Sequence, residues 1–282
     1  MDFRGEKEYW DDSADKEEEC LSIRCVNRDL RWREIERHLV GISTVLDVGG
    51  GTGAFSIPLA RRGFSVTHLD LSPAMLEIAR TKSKGIGTIR FIEGNVIEMS
   101  TFSDKSFDLV LNMDGPISYC GYDAERAISE SARVARKTLI ATAAHRAWGI
   151  PLWMRSSLTS SAKFLPAVYE MLEQGNWRRD QFAENAVLTT EFPFRALRAF
   201  LPDEMRRILE QLGMRVLRIG GLGSLDGLCG ATMIEHLLED ESLYQEYVEL
   251  CERFDKEILV HGPGTQNDTG LIAVAEWADF SK

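Results

Sequence analysis

The sequence predicts an open, doubly wound α/β domain, and three observations carry that reading. Short apolar runs alternate with stretches of helical periodicity. A glycine-rich turn follows the first of those runs directly. A second carboxylate closes the second run.

The elements follow in order. Val26 to Leu39 places Trp32, Ile35 and Leu39 at helical spacing. Residues 43–48 form a continuous apolar run ending at glycines, the pattern of a buried strand. Residues 54–63 read as a helix closed by Gly63, and 64–70 as a second strand. Ser72 and Pro73 supply an N-cap and a proline at N1 for a helix over 74–82. Residues 88–94 and 107–113 read as strands three and four, 124–137 as a helix, and 138–145 as strand five. The rhythm breaks over 146–200. It resumes with a helix over 202–213 and strand six over 214–221. A largely helical stretch (225–260) and a final strand (270–277) follow.

Composition narrows the function classes. The chain has 282 residues, 44% of them hydrophobic, enough for one large domain. A net charge of −11 repels phosphate backbones, so nucleic acid is disfavoured as the main partner. Cys20, Cys25, Cys120, Cys229 and Cys251 form no CxxC pair, which points to reduced thiols rather than a disulfide framework or a metal site. No apolar run approaches the ~20 residues of a membrane span. The acidic start lacks the basic and apolar regions of a signal peptide, so a cytoplasmic protein is expected.

The chemistry concentrates in Val45–Gly53, VLDVGGGTG. Its letters fit the dinucleotide fingerprint, which keeps an NAD-dependent oxidoreductase open, but no P-loop lysine follows. Asp47, immediately before the glycines, would oppose a pyrophosphate yet could accept from a ligand ammonium. Asp70, closing the second strand, could accept from both hydroxyls of a ribose. An ammonium beside a ribose describes S-adenosyl-L-methionine.

At these residues the chain resembles the class I S-adenosylmethionine-dependent methyltransferases. VLDVGGGTG looks like their first motif, and THLDLSPAMLEIAR is similar to their ribose and adenine segment. FIEGNVIEMSTFSDKSFDLVLN and FLPDEMRRILEQLGMRV resemble their later motifs. The resemblance implies a Rossmann-like, mostly parallel seven-stranded sheet with an antiparallel last strand. It implies a helical cover over 1–42, a cofactor-binding core over 43–145, a helical lid over 146–200 and the rest of the sheet over 201–282.

Carried over by residue, Asp47, Gly49, Gly51, Thr52 and Gly53 would line the methionine portion. Asp70 would take the ribose, with Leu71 and Met75 near the adenine. Asn95 stands where an aspartate usually accepts from the adenine amino group, and the amide of Val96 would serve a ring nitrogen. Asn112 or Met113 would meet the methionine end, and Tyr9 with Trp10 resembles a cover over the cofactor.

The expected activity is methyl transfer to a small molecule by in-line displacement, releasing S-adenosyl-L-homocysteine. Alignment and water exclusion can supply much of that catalysis. Asp114, Tyr119 and His145 follow strands four and five and are the candidates for substrate contact or base. Aromatic residues of the insertion (Trp148, Trp153, Phe164, Tyr169, Trp177) could shape a pocket, form the lid's own core or make a dimer face. Arg178, Arg179, Arg195 and Arg198 could meet a substrate carboxylate or simply be solvated. A cofactor-binding module without transfer activity is the non-enzymatic alternative, and the oligomeric state stays open.

Overall fold

The computed structural model describes residues 3–22, 25–147, 150, 165–178, 196–229, 237–258 and 270–277. Two helices, α1 (Arg4–Ser22) and α2 (Val26–Arg37), precede the sheet. Then β1 (Thr44–Val48), α3 (Ser56–Arg61), β2 (Ser65–Asp70), α4 (Pro73–Lys82), β3 (Ile89–Glu93) and β4 (Phe107–Asn112) alternate. A short α5 (Pro116–Tyr119) and α6 (Ala124–Val134) lead to β5 (Ala135–His145).

After these come α7 (Leu165–Gln174), β6 (Asn176–Arg178), β7 (Ala196–Phe200), α8 (Pro202–Gln211) and β8 (Met214–Gly221). The described remainder holds α9 (Ser224–Cys229), α10 (Glu241–Arg253) and β9 (Leu271–Trp277).

Seven of the described strands run in the order β3-β2-β1-β4-β5-β9-β8. The first five are parallel, and β9 is antiparallel to both β5 and β8. Successive side chains of a strand face opposite ways, so each strand feeds two cores. Leu46 and Val48 of β1 join the face covered by α6 and α8, where Ile128, Met205 and Leu209 are buried. Val45 joins the face covered by α2, α3 and α10, with Ile35, Leu59 and Val248. Asp47 shares the parity of Val45 and is therefore turned toward α3.

Ser72 caps α4 as its sequence suggests, its Oγ accepting from the amide of Met75 at 3.1 Å, with Pro73 following. One boundary differs from the sequence reading. The helix expected over 124–137 ends at Val134, and β5 starts at Ala135 with no intervening loop. Ala135 is already extended and pairs with Phe107, while Arg136 and Lys137 reach back to Asp108. Long-range pairing overrides a helical pattern there.

The described part of the insertion adds strands to the helical lid expected. Alongside α7 it contributes β6 and β7, paired antiparallel, and β7 extends the end of β5 through Ala144–Ala199 and His145–Phe200. Glu204 at the start of α8 holds this annex, bridging Arg146 and Arg198 at 2.5 Å each. Trp177 is buried and Tyr169 exposed, whereas Trp148, Trp153, Phe164, Arg179 and Arg195 lie outside the described residues.

Asp108 ties β4 to the entry of β1. One carboxylate oxygen accepts from the amides of Ser43 and Thr44 at 3.0 and 3.1 Å, and the other faces Arg136 and Lys137. Burial opposes its charge, but these donors hold its pKa at about 2, below the usual carboxylate range. A depressed carboxylate stabilises the fold above the unfolded value, and that support is lost as pH falls toward 2. Asp108→Ala is expected to cost about 2–4 kcal/mol in urea unfolding near neutral pH, because the part-buried amides of Ser43 and Thr44 and the paired Arg136 and Lys137 lose their acceptor. A cost below about 0.5 kcal/mol would show that water replaces the carboxylate.

Candidate active site

The carboxyl ends of β1, β2 and β4 open into a cavity of about 520 Å³. Ligands in open α/β sheets bind at such ends. The turn after β1 forms one wall. The amides of Gly49 and Gly50 donate to the carbonyl of Leu69 at 2.7 and 3.2 Å, which fastens the turn to β2. Gly49 adopts φ +65°, and a Cβ there would lie 2.2 Å from the Pro116 ring, so no other residue fits.

Asp47 and Asp70 both line the cavity, and both are buried. Burial pushes Asp47 up to about 7 against hydrogen bonds from Ser56, with Asp114 and Asp70 adding repulsion. Burial likewise raises Asp70 to about 6, although the amides of Ser72 and Gly51 donate to its two oxygens at 2.8 Å each. Each carboxylate oxygen keeps a further lone pair, so a vicinal diol can still be received.

The structure brings most of the sequence candidates together. Gly49, Gly51, Thr52, Leu71, Met75, Asn95, Val96, Met113, Asp114 and Tyr119 line the same cavity as the two aspartates. Four candidates fall elsewhere. Gly53 faces a separate, shallower cavity beside Pro58 and Arg61. Asn112 is fully buried and donates to Ser131 at 3.1 Å. His145 is buried where β7 extends β5, its Nδ1 accepting from the amide of Ala147 at 3.1 Å. Tyr9 packs its ring against Trp10, and it is Trp10 that reaches the cavity, 5.2 Å from the Tyr119 ring. Asn95 also spends one acceptor on the amide of Ile97 at 3.1 Å.

Sequence reasoning expected a cover over 1–42 and named Tyr9 and Trp10 within it, but missed the other cavity residues that the two leading helices supply. Phe3, Glu6, Trp10 and Glu17 come from the α1 segment, and Arg28 and Arg31 from α2. Asp11 of α1 accepts from Ser72 Oγ at 2.5 Å and from the amide of Ala74 at 3.1 Å, so α1 is docked on the start of α4. Lys82 pairs with Glu18 at 2.6 Å further along. Arg31 is almost wholly buried and pairs with Asp114 at 2.5 Å. Asp114 itself takes φ +60°, followed by Gly115 at +100°, so the chain turns sharply at the cavity mouth. An arginine within a helix carries no sequence mark that separates it from a solvated one. Cys120 also lines the cavity, but burial pushes its thiol up to about 12 and it stays protonated.

Fold and cavity together define an α/β domain that presents a glycine turn and two buried carboxylates to a cavity at the carboxyl ends of its strands. The comparisons agree. Residues 45–138 match the methyltransferase domain family. A demethylmenaquinone methyltransferase from Tropheryma whipplei (strain Twist) is 42% identical over 89 residues, covering 30% of this chain and 36% of that protein. A magnesium-protoporphyrin O-methyltransferase from Rhodobacter capsulatus is 31% identical over 102 residues, covering 36% and 44%. The chain thus spans well under two thirds of the length of either relative.

A solved S-adenosylmethionine-dependent methyltransferase from Methanosarcina mazei superposes with a TM-score of 0.54 at 20% identity, over 86% of this chain and 96% of that one. The magnesium protoporphyrin IX methyltransferase of Synechocystis PCC 6803, with bound SAH, gives 0.52 at 17% identity over 90% and 82%. Residues 45–138 are thus similar to the methyltransferase domain family, within a fold like that of these solved methyltransferases.

A carboxyl whose folded pKa is raised favours folding below its unfolded value and opposes it progressively as pH rises to the folded value. For Asp47 that window runs from 3.8 to about 7. Asp47→Asn is therefore expected to raise the thermal midpoint of the ligand-free protein at pH 8, with little change at pH 4. A lower midpoint at pH 8 would show that the carboxylate is stabilising where it sits.

Proposed function

We propose that the protein transfers the methyl group of S-adenosyl-L-methionine to a small-molecule acceptor by in-line displacement. One observation carries the reading: a single cavity joins Asp47, the glycine turn, Asp70 and the Asn95–Val96 turn to a wall supplied by α1 and α2. In this assignment Asp47 receives the ligand ammonium, Asp70 the ribose hydroxyls, Leu71 and Met75 the adenine faces, and Asn95 with Val96 the adenine edge. Met113 lies toward the sulfonium. Asp114 and Tyr119 are the groups that face the acceptor, and His145 stands outside the cavity.

When bound, the cofactor supplies an already activated methyl carbon. The protein's part is to align the acceptor and exclude water. The docked α1 and the paired Trp10 and Tyr119 rings serve the second task. In this reading 1–42 covers the site, 43–145 holds the cofactor, and 146–200 and 201–282 complete the acceptor side and the sheet.

A small acceptor fits the relatives reported above, three of which are named for small molecules, one for demethylmenaquinone and two for magnesium protoporphyrin. A polyanion does not fit. Glu6, Glu17, Asp47, Asp70 and Asp114 face the cavity against Arg28 and Arg31, within a chain of net charge −11. An NAD reading does not fit either, since Asp47 would confront a pyrophosphate at the glycine turn. No helix among the described residues is long and apolar enough to cross a membrane. The free thiols of Cys20 and Cys120 suit a reducing compartment such as the cytoplasm.

Calorimetric titration tests the assignment. S-adenosylmethionine and S-adenosylhomocysteine are expected to bind, and NAD is not. Asp70→Asn should weaken both by roughly 10- to 100-fold, the loss of one charged acceptor pair. Equal affinity in wild type and Asp70→Asn would remove the ribose from that carboxylate. NAD binding alone would replace the methyltransferase reading with an oxidoreductase.

A further inference from the structure

Beneath the glycine turn lies a buried polar chain that the assignment above does not use. Asp47 on β1 and His68 on β2 are register partners on neighbouring parallel strands. Ser56, in the first turn of α3, sits between them. Its hydroxyl hydrogen-bonds Asp47 Oδ2, and its oxygen lies 2.7 Å from His68 Nδ1. All three residues are essentially inaccessible to water. The main chain of the turn rests on this group. A Cβ added to Gly50 would lie 2.4 Å from His68 Cε1, 2.5 Å from Nδ1 and 3.0 Å from Asp47 Oδ2. Gly50, absent from the sequence candidates, is thus fixed by the imidazole below it rather than by a ligand above.

Proton counting restricts what this chain can do. The Ser56 hydroxyl carries one hydrogen. When Asp47 is ionised that hydrogen must point to the carboxylate, so His68 must donate from Nδ1 to the Ser56 oxygen. When Asp47 is protonated the whole chain can reverse: carboxyl to Ser56, Ser56 to Nδ1, with the ring hydrogen on Nε2. Going from the second state to the first removes one proton, which leaves to water.

His68 stays neutral in both states, because burial and Arg80 of α4 push its pKa down to about 4 against the help of the Gly51 carbonyl. It therefore acts as a hydrogen-bond donor and not as a counter-cation. The other groups facing Asp47 are Asp70 on β2 and Asp114 after β4, both of which oppose its ionisation. Arg31 of α2 is engaged with Asp114. Phe91 of β3 flanks the imidazole at 5.1 Å.

We propose that Ser56 and His68 are positioning residues for the cofactor, acting through Asp47: the donor chain His68–Ser56 aims its carboxylate and favours the ionised form that receives the ligand ammonium. The proposal rests on the assignment of Asp47 to that ammonium. Ser56 and His68 touch no reacting atom. Their effect appears in how affinity depends on pH.

The test uses the full chain and S-adenosylhomocysteine as probe. In the wild-type complex at pH 7.5, nitrogen-resolved NMR of the His68 ring is expected to find the hydrogen on Nδ1; a hydrogen on Nε2 overturns the proposal without any variant. Affinity is then followed by calorimetry from pH 5.5 to 9. Ser56→Ala is expected to move the midpoint of the pH dependence upward by about one unit, giving roughly fivefold weaker binding at pH 7, approaching tenfold at pH 5.5, and near wild-type binding at pH 9. The ligand's own ammonium titrates identically in both proteins and cancels.

His68→Asn, whose amide nitrogen can occupy the place of Nδ1, should bind close to wild type, while His68→Leu should follow Ser56→Ala. A loss that is equal at every pH would mean a merely structural role and overturns the proposal. Asp47→Asn separates the two levels. Wild-type affinity in that variant would remove the ammonium assignment and the proposal with it. Weak binding by Asp47→Asn with an unmoved pH profile in Ser56→Ala would overturn the proposal alone.

Discussion

The site depends on a buried carboxylate held without a cation beside it among the described residues. Asp47 sits at the end of a central strand, between two cores, with Asp70 and Asp114 close enough to oppose its charge. Leaving such a group buried costs stability unless donors or a ligand compensate it. Ser56 compensates in part. The remainder is a standing attraction for a cationic ligand group. The fold thus carries a destabilised site whose penalty is relieved by binding, as is common where function and stability compete.

The elements around that carboxylate limit what can relieve it. The glycine turn is clamped between Leu69, Pro116 and His68, so its backbone cannot retreat. Asp70 holds Gly51 and Ser72 through its two oxygens, so the turn and the start of α4 are tied to the one side chain proposed to receive the ribose. Asp11 carries α1 to the same place by reaching Ser72 and Ala74 at the start of α4. The covering helix and the nucleoside wall therefore share an anchor. Movement of α1 would be felt at Asp70, whose ionisation Asp11 already opposes.

How much of this was legible in the sequence depended on range. The mostly buried strands β1, β2 and β4 read as apolar runs, and glycines forced by φ stand out, so these strands and the turn were readable. Ser72-Pro73 announced α4 through local capping chemistry alone. The start of β5 was not readable, because Ala135 is extended only by virtue of its pairing with Phe107. The strands β6 and β7 are short and exist by adding to the end of β5, which also removes His145 from the cavity.

Arg31 and Gly50 escaped for a related reason. Their roles come from Asp114 and His68, partners distant in sequence whose approach no local pattern records.

The most direct test of this account is the number of protons released when S-adenosylmethionine binds, measured by calorimetry in buffers of different ionisation enthalpy. At pH 6.5 Asp47 is largely protonated in the free protein, while the ligand ammonium is already charged. The account predicts release of a substantial fraction of a proton at pH 6.5, falling toward zero by pH 8.5 and abolished in Asp47→Asn. Binding with no proton release at pH 6.5, or with the same release in Asp47→Asn, would contradict the claim that this buried carboxylate receives the cofactor.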